Sequence, residues 1–322
     1  MKKYTNYEIE RYSSLNPRNV VGEICFELAN LDEKFALLYA DIGKGIGIDK
    51  LKKNNPAACV EVGIAEQNML GIACGMAQNG FNAFAISYAP FITARVLDQI
   101  RVYMGYMQSP IKLVGLSAGL VAGDLGATHT CLEDIATMRT IPNLTVVSPC
   151  DAFEYVKVFH AVATLSTPCY IRLTGGVTDY RVNFSDYEFE IGKAITLSDG
   201  NEVALISNGT IAYETSIACE LLRKRGISVR HINMHTIKPL DENCLLALQS
   251  FKEIFTVEEH SIFGGLGGAV AEFLASQRNF PRLTRIGVND QYFHADHAEN
   301  LRKAAGLDGN SISEKVLSVI NE

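Results

Sequence analysis

Glu66 is the residue whose setting in this sequence most clearly predicts chemistry. It lies in the segment EVGIAEQNM (61–69), where a short apolar run typical of a strand is followed by a helical pattern. A carboxylate in the first turn of a helix stabilises the helix dipole by about 0.3–1 kcal/mol, and that structural role is one interpretation of Glu66. The other interpretation, a catalytic carboxylate, depends on the pattern of the surrounding chain.

His129 is the second candidate for a functional side chain. It ends the glycine-rich segment GDLGATH (123–129), which precedes a predicted helix. Loops of α/β folds often carry function, so His129 is predicted to have a functional role, with a structural role as the alternative. His260 is predicted to be structural. The other histidines have no spacing that suggests a metal site; they are His160, His231, His235, His294 and His297.

The composition is that of an ordinary soluble protein too long for one typical domain: 322 residues, 48% hydrophobic and 20% charged. A net charge of −7 without a basic run argues against nucleic acid and membrane surfaces as partners. No apolar run predicts a transmembrane helix, and the polar start is unlike a signal peptide. The 8 cysteines occur singly, as in reduced proteins. We therefore expect a cytoplasmic protein without disulfides or a metal site of its own.

The elements that must position these residues follow an alternating pattern of strands and helices. In the first half, strands are predicted at 36–40, 59–62, 83–87, 111–116, 144–147 and 169–173, with helices after Pro17 and from Ile64 to near Gly80. After a polar interruption, strands are predicted at 203–207, 228–232, 253–257 and 283–288, and helices at 210–225, 240–249 and 268–277. The pattern predicts α/β architecture: two consecutive three-layer domains with mostly parallel sheets, residues 1–184 and 185–322.

Several segments resemble the thiamine-diphosphate-dependent transketolases. GIAEQN (63–68) resembles their motif of the same sequence and the GIAEQH motif of deoxyxylulose-phosphate synthases. ARVLDQIR (94–101) is similar to the family's TRAFDQIR helix, and GDLGATH to its GEDGPTH loop. Further similar segments are IPNL (141–144), SPCD (148–151), TIKPLD (236–241), and EEH with GGLG (258–267). The resemblance covers about residues 15–305 and implies a pyrimidine-binding domain followed by a transketolase C-terminal-like domain.

The resemblance implies a catalytic role for Glu66. In this family a glutamate hydrogen-bonds the pyrimidine nitrogen of thiamine diphosphate and favours the imino tautomer, whose exocyclic nitrogen removes the C2 proton and leaves the ylide. His129 is implied to act on the substrate. Cofactor contacts are implied for Glu66 and five neighbours: Ile64, Tyr88, Phe91, Ile92 and Arg95. Ile92 takes the usual place of a stacking Phe, so either Tyr88 or Phe91 is expected to stack, with a core position as the alternative for each.

The chain lacks the part of the family that holds the diphosphate. Transketolases bind it, with Mg²⁺ or Ca²⁺, on a separate domain that carries a GDG…N motif. The nearest candidate here, SDGN (198–201), has no following Asn pair and is predicted to be a β-turn. The resemblance therefore implies that the metal is held by a partner subunit, an N-terminal-half transketolase chain, in a heterotetramer of two plus two. The chain alone is expected to be inactive.

Departures from the family gather at the positions that contact the sugar substrate. Leu125 replaces a sugar-binding Asp, Gly175 a phosphate-binding Arg, Ser117 a strand-end His, and Gly45 lies near a phosphate-binding Ser, whereas Arg18 still matches a phosphate contact. Loss of an arginine–phosphate pair removes a strong charge-assisted interaction. We therefore expect a small sugar other than an ordinary sugar phosphate as acceptor. The alternative is that Arg172 and Arg18, together with basic residues of the partner, rebuild a phosphate site.

The leading functional hypothesis is transfer of a two-carbon ketol unit from a ketose donor to an aldehyde or ketone. One alternative is a β-type subunit of another thiamine-diphosphate enzyme, either a 2-oxoacid dehydrogenase or a deoxyxylulose-phosphate-synthase-like enzyme. Another is a non-catalytic regulatory subunit. The segments similar to TRAFDQIR and to the family's TIKPLD favour transketolase, and a scaffold has no need of a carboxylate at position 66.

Overall fold

The computed structural model describes residues 3–175 and 180–322. The strands are β1 (Phe35–Tyr39), β2 (Cys59–Glu61), β3 (Asn82–Tyr88), β4 (Lys112–Leu116), β5 (Thr145–Val147), β6 (Cys169–Arg172), β7 (Ile195–Ser198), β8 (Val203–Ser207), β9 (Val229–Asn233), β10 (Thr236–Lys238), β11 (Glu253–Ser261) and β12 (Arg282–Val288).

The helices alternate with these strands along most of the chain. They are α1 (Asn6–Ser13), α2 (Pro17–Leu31), α3 (Asp49–Asn54), α4 (Glu66–Gln78), α5 (Ala89–Ile92), α6 (Leu97–Gln99), α7 (Asp134–Arg139), α8 (Ala152–Ala163), α9 (Ile211–Lys224), α10 (Glu242–Leu246), α11 (Leu266–Ala275), α12 (Ala298–Ala304) and α13 (Gly309–Ile320). A π-helical segment, Ile100–Tyr106, follows α6, and short 3-10 turns lie at Gly43–Ile46, Pro56–Ala58, Ala94–Val96 and Gly123–Leu125.

The strands form two sheets, and helices pack against both. The first has the order β10-β5-β6-β4-β3-β1-β2 and is parallel except for β10. The second has the order β12-β11-β8-β9-β7 and is parallel except for β7. These sheets confirm the predicted α/β class. An antiparallel strand at the edge of each sheet was not predicted from the sequence.

The predicted strands of the first half coincide with β1 to β6 to within one residue at each end. In the second half β11 continues to Ser261, further than predicted. The helix predicted at 240–249 is wrong in length, because α10 spans only Glu242–Leu246 before the chain turns. Helices α12 and α13 were not predicted. α13 packs with α9 over the second sheet, where Val316 and Leu222 belong to one hydrophobic core.

Local sequence explains where the helices next to the site begin and end. Asn16 caps α2 by accepting a hydrogen bond from the Arg18 N–H, and Pro17 occupies its first turn, where no N–H is needed. The helix predicted from Ile64 starts at Glu66 instead. Gly63 turns the chain there with a positive φ of 69°. Gly80, with φ of 82°, follows the end of α4 and permits the left-handed turn into β3.

Strand β10 joins the two halves of the chain, because it comes from the second half but pairs with β5 of the first sheet. Lys238 strengthens this junction. Its Nζ donates hydrogen bonds to the carbonyl oxygens of Arg139 (3.0 Å) and Ile141 (2.5 Å). The Ser148 N–H donates to the His235 carbonyl at 2.7 Å. The two halves are therefore joined by backbone pairing in addition to side-chain packing.

A buried ion pair lies at the same junction. Arg172, fully buried on β6, donates from Nε to Asp134 Oδ2 at 2.8 Å and from Nη2 to the Glu259 carbonyl at 2.9 Å. Tyr170 donates its hydroxyl to Asp134 at 2.7 Å. The guanidinium therefore has its charge neutralised and its Nε and Nη2 donors used inside the protein. Arg172 is not available to a substrate phosphate, which removes one of the two arginines of the alternative phosphate site.

Replacing Asp134 with alanine should lower the free energy of unfolding by about 3–5 kcal/mol, because the Arg172 charge would be left buried without a partner. Urea denaturation followed by circular dichroism would measure the change. The exposed pair of Asp98 and Arg101 provides the control, since Asp98→Ala should barely move the unfolding midpoint. Equal effects of the two substitutions would show that the buried pair contributes no more than a surface pair.

Candidate active site

The predicted site residues gather at one edge of the first sheet, where the carboxyl ends of four neighbouring parallel strands meet. Glu66 follows β2, Tyr88 ends β3, Ser117 follows β4, and the turn with Gly45 follows β1. Ligands of open α/β sheets bind at this edge, since the loops that leave the strands converge there. The topology alone thus brings together residues separated by more than fifty positions.

Glu66 is the buried acidic group of the site. Its side chain is only 3% exposed at the first position of α4, where the helix dipole stabilises a negative charge. Arg95 Nη1 donates to Glu66 Oε2 at 2.9 Å, and the Ser87 hydroxyl lies 3.4 Å from Oε1. Because the contact with Ser87 is long, Oε1 keeps capacity to bind another donor or to share a proton.

The turn that presents Glu66 is held by a second glutamate. Glu61, at the end of β2, accepts hydrogen bonds from the N–H groups of Asp41 (2.8 Å) and Gly63 (3.1 Å) through one oxygen. These bonds tie the chain leaving β1 to the chain leaving β2. The sequence interpretation missed this role, although Glu61 at the end of a predicted strand was a visible signal.

A continuous series of contacts runs from Glu66 to Ser117. The Arg95 guanidinium lies over the Phe91 ring at 4.0 Å, and Phe91 meets the His129 ring edge-on at 5.1 Å. His129 also meets Tyr88 edge-on at 5.6 Å. His129 therefore contacts both aromatic residues predicted as candidates for stacking, and these two rings also meet each other edge-on at 6.2 Å.

Arg18 and Ser117 complete the series beyond Tyr88. The Arg18 guanidinium lies 6.0 Å from the Tyr88 ring centre, and Arg18 Nη2 donates to the Ser117 hydroxyl at 2.8 Å. Ser117 is buried with a positive φ of 51°, a left-handed conformation that costs energy outside glycine and is often found at functional sites. Arg18 Nε is buried without a partner in the described part of the chain. This end of the site retains a free donor.

The other predicted residues lie outside that series. Ile64 is 75% exposed beside Glu66, and Leu125 is 50% exposed on the loop that carries His129. Ile92 packs in the hydrophobic core and has no exposed surface. It can therefore support the neighbouring site residues, but its side chain has no surface that could contact a cofactor. Gly175 is buried, and a Cβ there would collide with the Tyr155 hydroxyl and press on Pro17. Gly45, in contrast, is exposed with open space around it.

His260 lies away from this edge, in the junction of the two halves. It is fully buried between Asp134 and Glu258, and burial lowers its pKa to about 4. Burial also raises the pKa of Glu258 to about 7. Both side chains are fully buried. This environment agrees with the structural role predicted for His260.

The residues fit the pyrimidine half of thiamine diphosphate. A buried carboxylate with one oxygen only weakly bonded can bind a ring nitrogen, and the aromatic side chains beside it offer surfaces for a planar ring. Arg95 already covers one face of Phe91. Within residues 3–175 and 180–322, no cluster of three or more His, Cys, Asp or Glu side chains is arranged to hold a metal.

The fold and this site define an α/β protein whose candidate site lies at the carboxyl edge of its first sheet, and comparison with known sequences gives the family. Residues 13–178 match the transketolase pyrimidine binding domain, and residues 192–312 match the transketolase C-terminal domain. The chain belongs to the transketolase family, whose cofactor is thiamine diphosphate. In the described part of the chain no helix has the length and apolar character needed to cross a membrane.

The relatives include separate C-terminal chains. A putative transketolase C-terminal section from Methanocaldococcus jannaschii is 38% identical, over 93% of this chain and 95% of that protein. One of the subunits of an apulose-4-phosphate transketolase from Phocaeicola vulgatus is 36% identical, over 95% of this chain and 97% of that subunit. A solved split gene transketolase, described as an inactive beta4 tetramer, is 30% identical with a TM-score of 0.83, and the match covers 94% of this chain and 97% of that one. The resemblance to a split transketolase subunit is thus confirmed.

Proposed function

We propose that this chain is the pyrimidine-binding subunit of a two-chain transketolase that moves a two-carbon ketol unit from a ketose donor to an aldehyde or ketone. The observation that carries the proposal is the buried carboxylate of Glu66 at the N-terminus of α4, linked by contacts through Arg95 and Phe91 to His129. That arrangement brings a buried carboxylate and a histidine to one sheet edge.

Each residue of this site has a chemical task under the proposal. Glu66 Oε1 would hold the proton shared with the pyrimidine ring nitrogen, while Arg95 on the other oxygen and the helix N-terminus stabilise the carboxylate. His129 would bind substrate hydroxyls, and Tyr88 or Phe91 would pack on the pyrimidine. Thiamine diphosphate, when bound, supplies the nucleophilic carbon that cleaves the bond beside the donor carbonyl.

Two rival functions keep the same fold. A β-type subunit of a 2-oxoacid dehydrogenase, or a chain of deoxyxylulose-phosphate-synthase type, would use the same carboxylate but a different donor. A purely regulatory subunit would not need the buried contact between Glu66 and Arg95. The retained site and the separate C-terminal chains among the relatives both favour a catalytic transketolase subunit.

The chain alone should bind thiamine diphosphate with Mg²⁺ only weakly, because it has no GDG…N segment to hold the diphosphate. Adding an N-terminal-half partner should produce tight binding and ketol transfer together. Isothermal titration calorimetry on this chain, on the partner and on the mixture measures the first effect, and transfer from a ketose to an aldehyde measures the second.

The partner alone is the matched control, and size-exclusion chromatography with light scattering would show whether the mixture forms a two-plus-two complex. Micromolar binding of the cofactor by this chain alone would contradict the split site. A complex that binds the cofactor yet transfers no ketol unit to any aldehyde or ketone would favour one of the rival functions.

A further inference from the structure

The loop that carries His129 is anchored by the second domain. This substrate loop, residues 117–131, is closed at its base by two backbone hydrogen bonds between Gly119 and Cys131, at 2.9 and 3.0 Å. The side chain of Leu120 and that of Leu132, just after the loop, belong to the hydrophobic core of the second sheet. The loop begins on the first domain, but both sides of its base pack into the second.

Glu259 makes a direct side-chain contact between the second domain and the backbone of this loop. It lies on β11 with its side chain 1% exposed, and its Oε1 accepts the Leu120 N–H at 2.7 Å. The approach is close: a Cβ added at Gly119, whose φ is 75°, would lie 2.5 Å from the same oxygen. A glycine at 119 therefore allows the carboxylate to reach the loop backbone.

The Glu259 carboxylate is itself held by Arg302, a residue of helix α12 near the C-terminus. Arg302, on α12, donates from Nε to Glu259 Oε2 at 2.5 Å and also donates to the Tyr180 hydroxyl. Both charges are buried, so neither side chain can turn away without leaving the other unpaired. The neighbouring Leu301 packs against Gly123 so closely that a Cβ there would collide with it.

Two backbone contacts from the second domain complete the anchorage. The Asp296 N–H donates to the Gly123 carbonyl at 3.2 Å, and the Ser261 N–H donates to the Leu132 carbonyl at 2.8 Å. Between these fixed points the loop extends toward the site, where His129 meets Tyr88 and Phe91. The position of the histidine ring thus depends on contacts made by residues 259–302.

We propose that Glu259, held by Arg302, is a positioning residue for ketol transfer: the second domain uses it to fix the substrate loop and thereby His129. This inference rests on the proposed function. Glu66 is on α4 and takes no part in the loop anchorage, so cofactor activation should not depend on Glu259. Substrate turnover should depend on it, because a displacement of about 1 Å at a contact group costs about 100-fold in rate.

The test compares Glu259→Gln with Glu258→Gln in the complex with the partner. Glu258 is a matched control: it is the adjacent buried glutamate of β11, but its carboxylate accepts hydrogen bonds from Leu266 and Gly267 at the start of α11 rather than from the loop. Glu259→Gln should lower kcat for ketol transfer by about 100-fold while the C2-proton exchange rate and the cofactor Kd stay within about 3-fold. Glu258→Gln should leave all three within about 3-fold.

Amide hydrogen exchange on the isolated chain gives a readout that needs neither cofactor nor substrate. Peptides covering 119–131 should exchange faster in Glu259→Gln than in wild type, and unchanged in Glu258→Gln. If Glu259→Gln misfolds, Glu259→Leu combined with Arg302→Leu removes both buried charges and the Leu120 acceptor, and it should show the same faster exchange and the same selective loss of kcat.

Failure of the positioning role and failure of the proposed function would give different results. Unchanged exchange of 119–131, an unchanged kcat, or an equal fall in C2-proton exchange and transfer would each overturn the positioning role. A wild-type complex that transfers no ketol unit would overturn the proposed function instead, and hydrogen exchange would still decide whether Glu259 holds the loop.

Discussion

Replacing Glu66 with glutamine should slow C2-proton exchange of thiamine diphosphate in the assembled complex by about 100-fold or more, the usual loss when a general acid–base group is removed. The amide has the same shape as the carboxylate but cannot share a proton with the pyrimidine nitrogen in the same way. Folding should change little. Arg95, which would lose its partner, is 42% exposed and can be solvated by water. Exchange is measured by NMR after quenching in acid.

Three further measurements make the result interpretable. The unfolding midpoint and the mass of the complex with the partner should match wild type, and the cofactor Kd should rise only modestly. Asp98→Asn serves as the control, because it removes an exposed carboxylate from the nearby helix α6 without touching the site. Exchange at the wild-type rate in Glu66→Gln would mean that Glu66 serves only as a charge at the end of a helix.

The second large effect concerns the acceptor. We expect kcat/KM for ribose 5-phosphate to be lower by orders of magnitude than for an unphosphorylated or nucleotide-linked sugar. Each hydrogen bond lost to a charged group weakens binding by about 1.5–3 kcal/mol, roughly one to two decades. Position 175 has no room for a side chain, and Arg172 is held in a buried ion pair with Asp134, so neither position can bind a phosphate. Leu125 offers no hydrogen bond where the family has an acid.

Whether a phosphate site survives depends on Arg18, the other arginine of the alternative phosphate site. Its Nε is buried without a partner in the described residues, and its Nη2 bonds to Ser117 at the substrate end of the site. Arg18→Lys should affect phosphorylated and unphosphorylated acceptors to a similar extent if no phosphate binds there. A loss confined to ribose 5-phosphate, or a kcat/KM for it at about 10⁴ M⁻¹s⁻¹ or above, would restore an ordinary transketolase assignment.

Local patterns in the sequence were sufficient for most of the fold and for the position of Glu66 in the first turn of a helix. Strands β1 to β6 were predicted to within one residue because apolar periodicity is a property of neighbouring positions. Glu66 could be singled out because its motif is contiguous and opens a helix. Helix α10 was predicted too long, and helices α12 and α13 were not predicted. The antiparallel edge strands β7 and β10 were missed, since edge pairing depends on which distant strand is available.

The amino-acid sequence by itself determined most of the strand and helix pattern, the placement of Glu66 in the first turn of a helix, and the absence of a GDG…N segment. Only the tertiary structure decided which distant residues meet. It paired Glu66 with Arg95 and placed His129 against both Tyr88 and Phe91. It also buried Arg172 against Asp134 and brought Glu259 from β11 to the backbone of Leu120. Such contacts join residues up to 139 positions apart, and their geometry comes from the packing of sheets and loops, which no local spacing encodes.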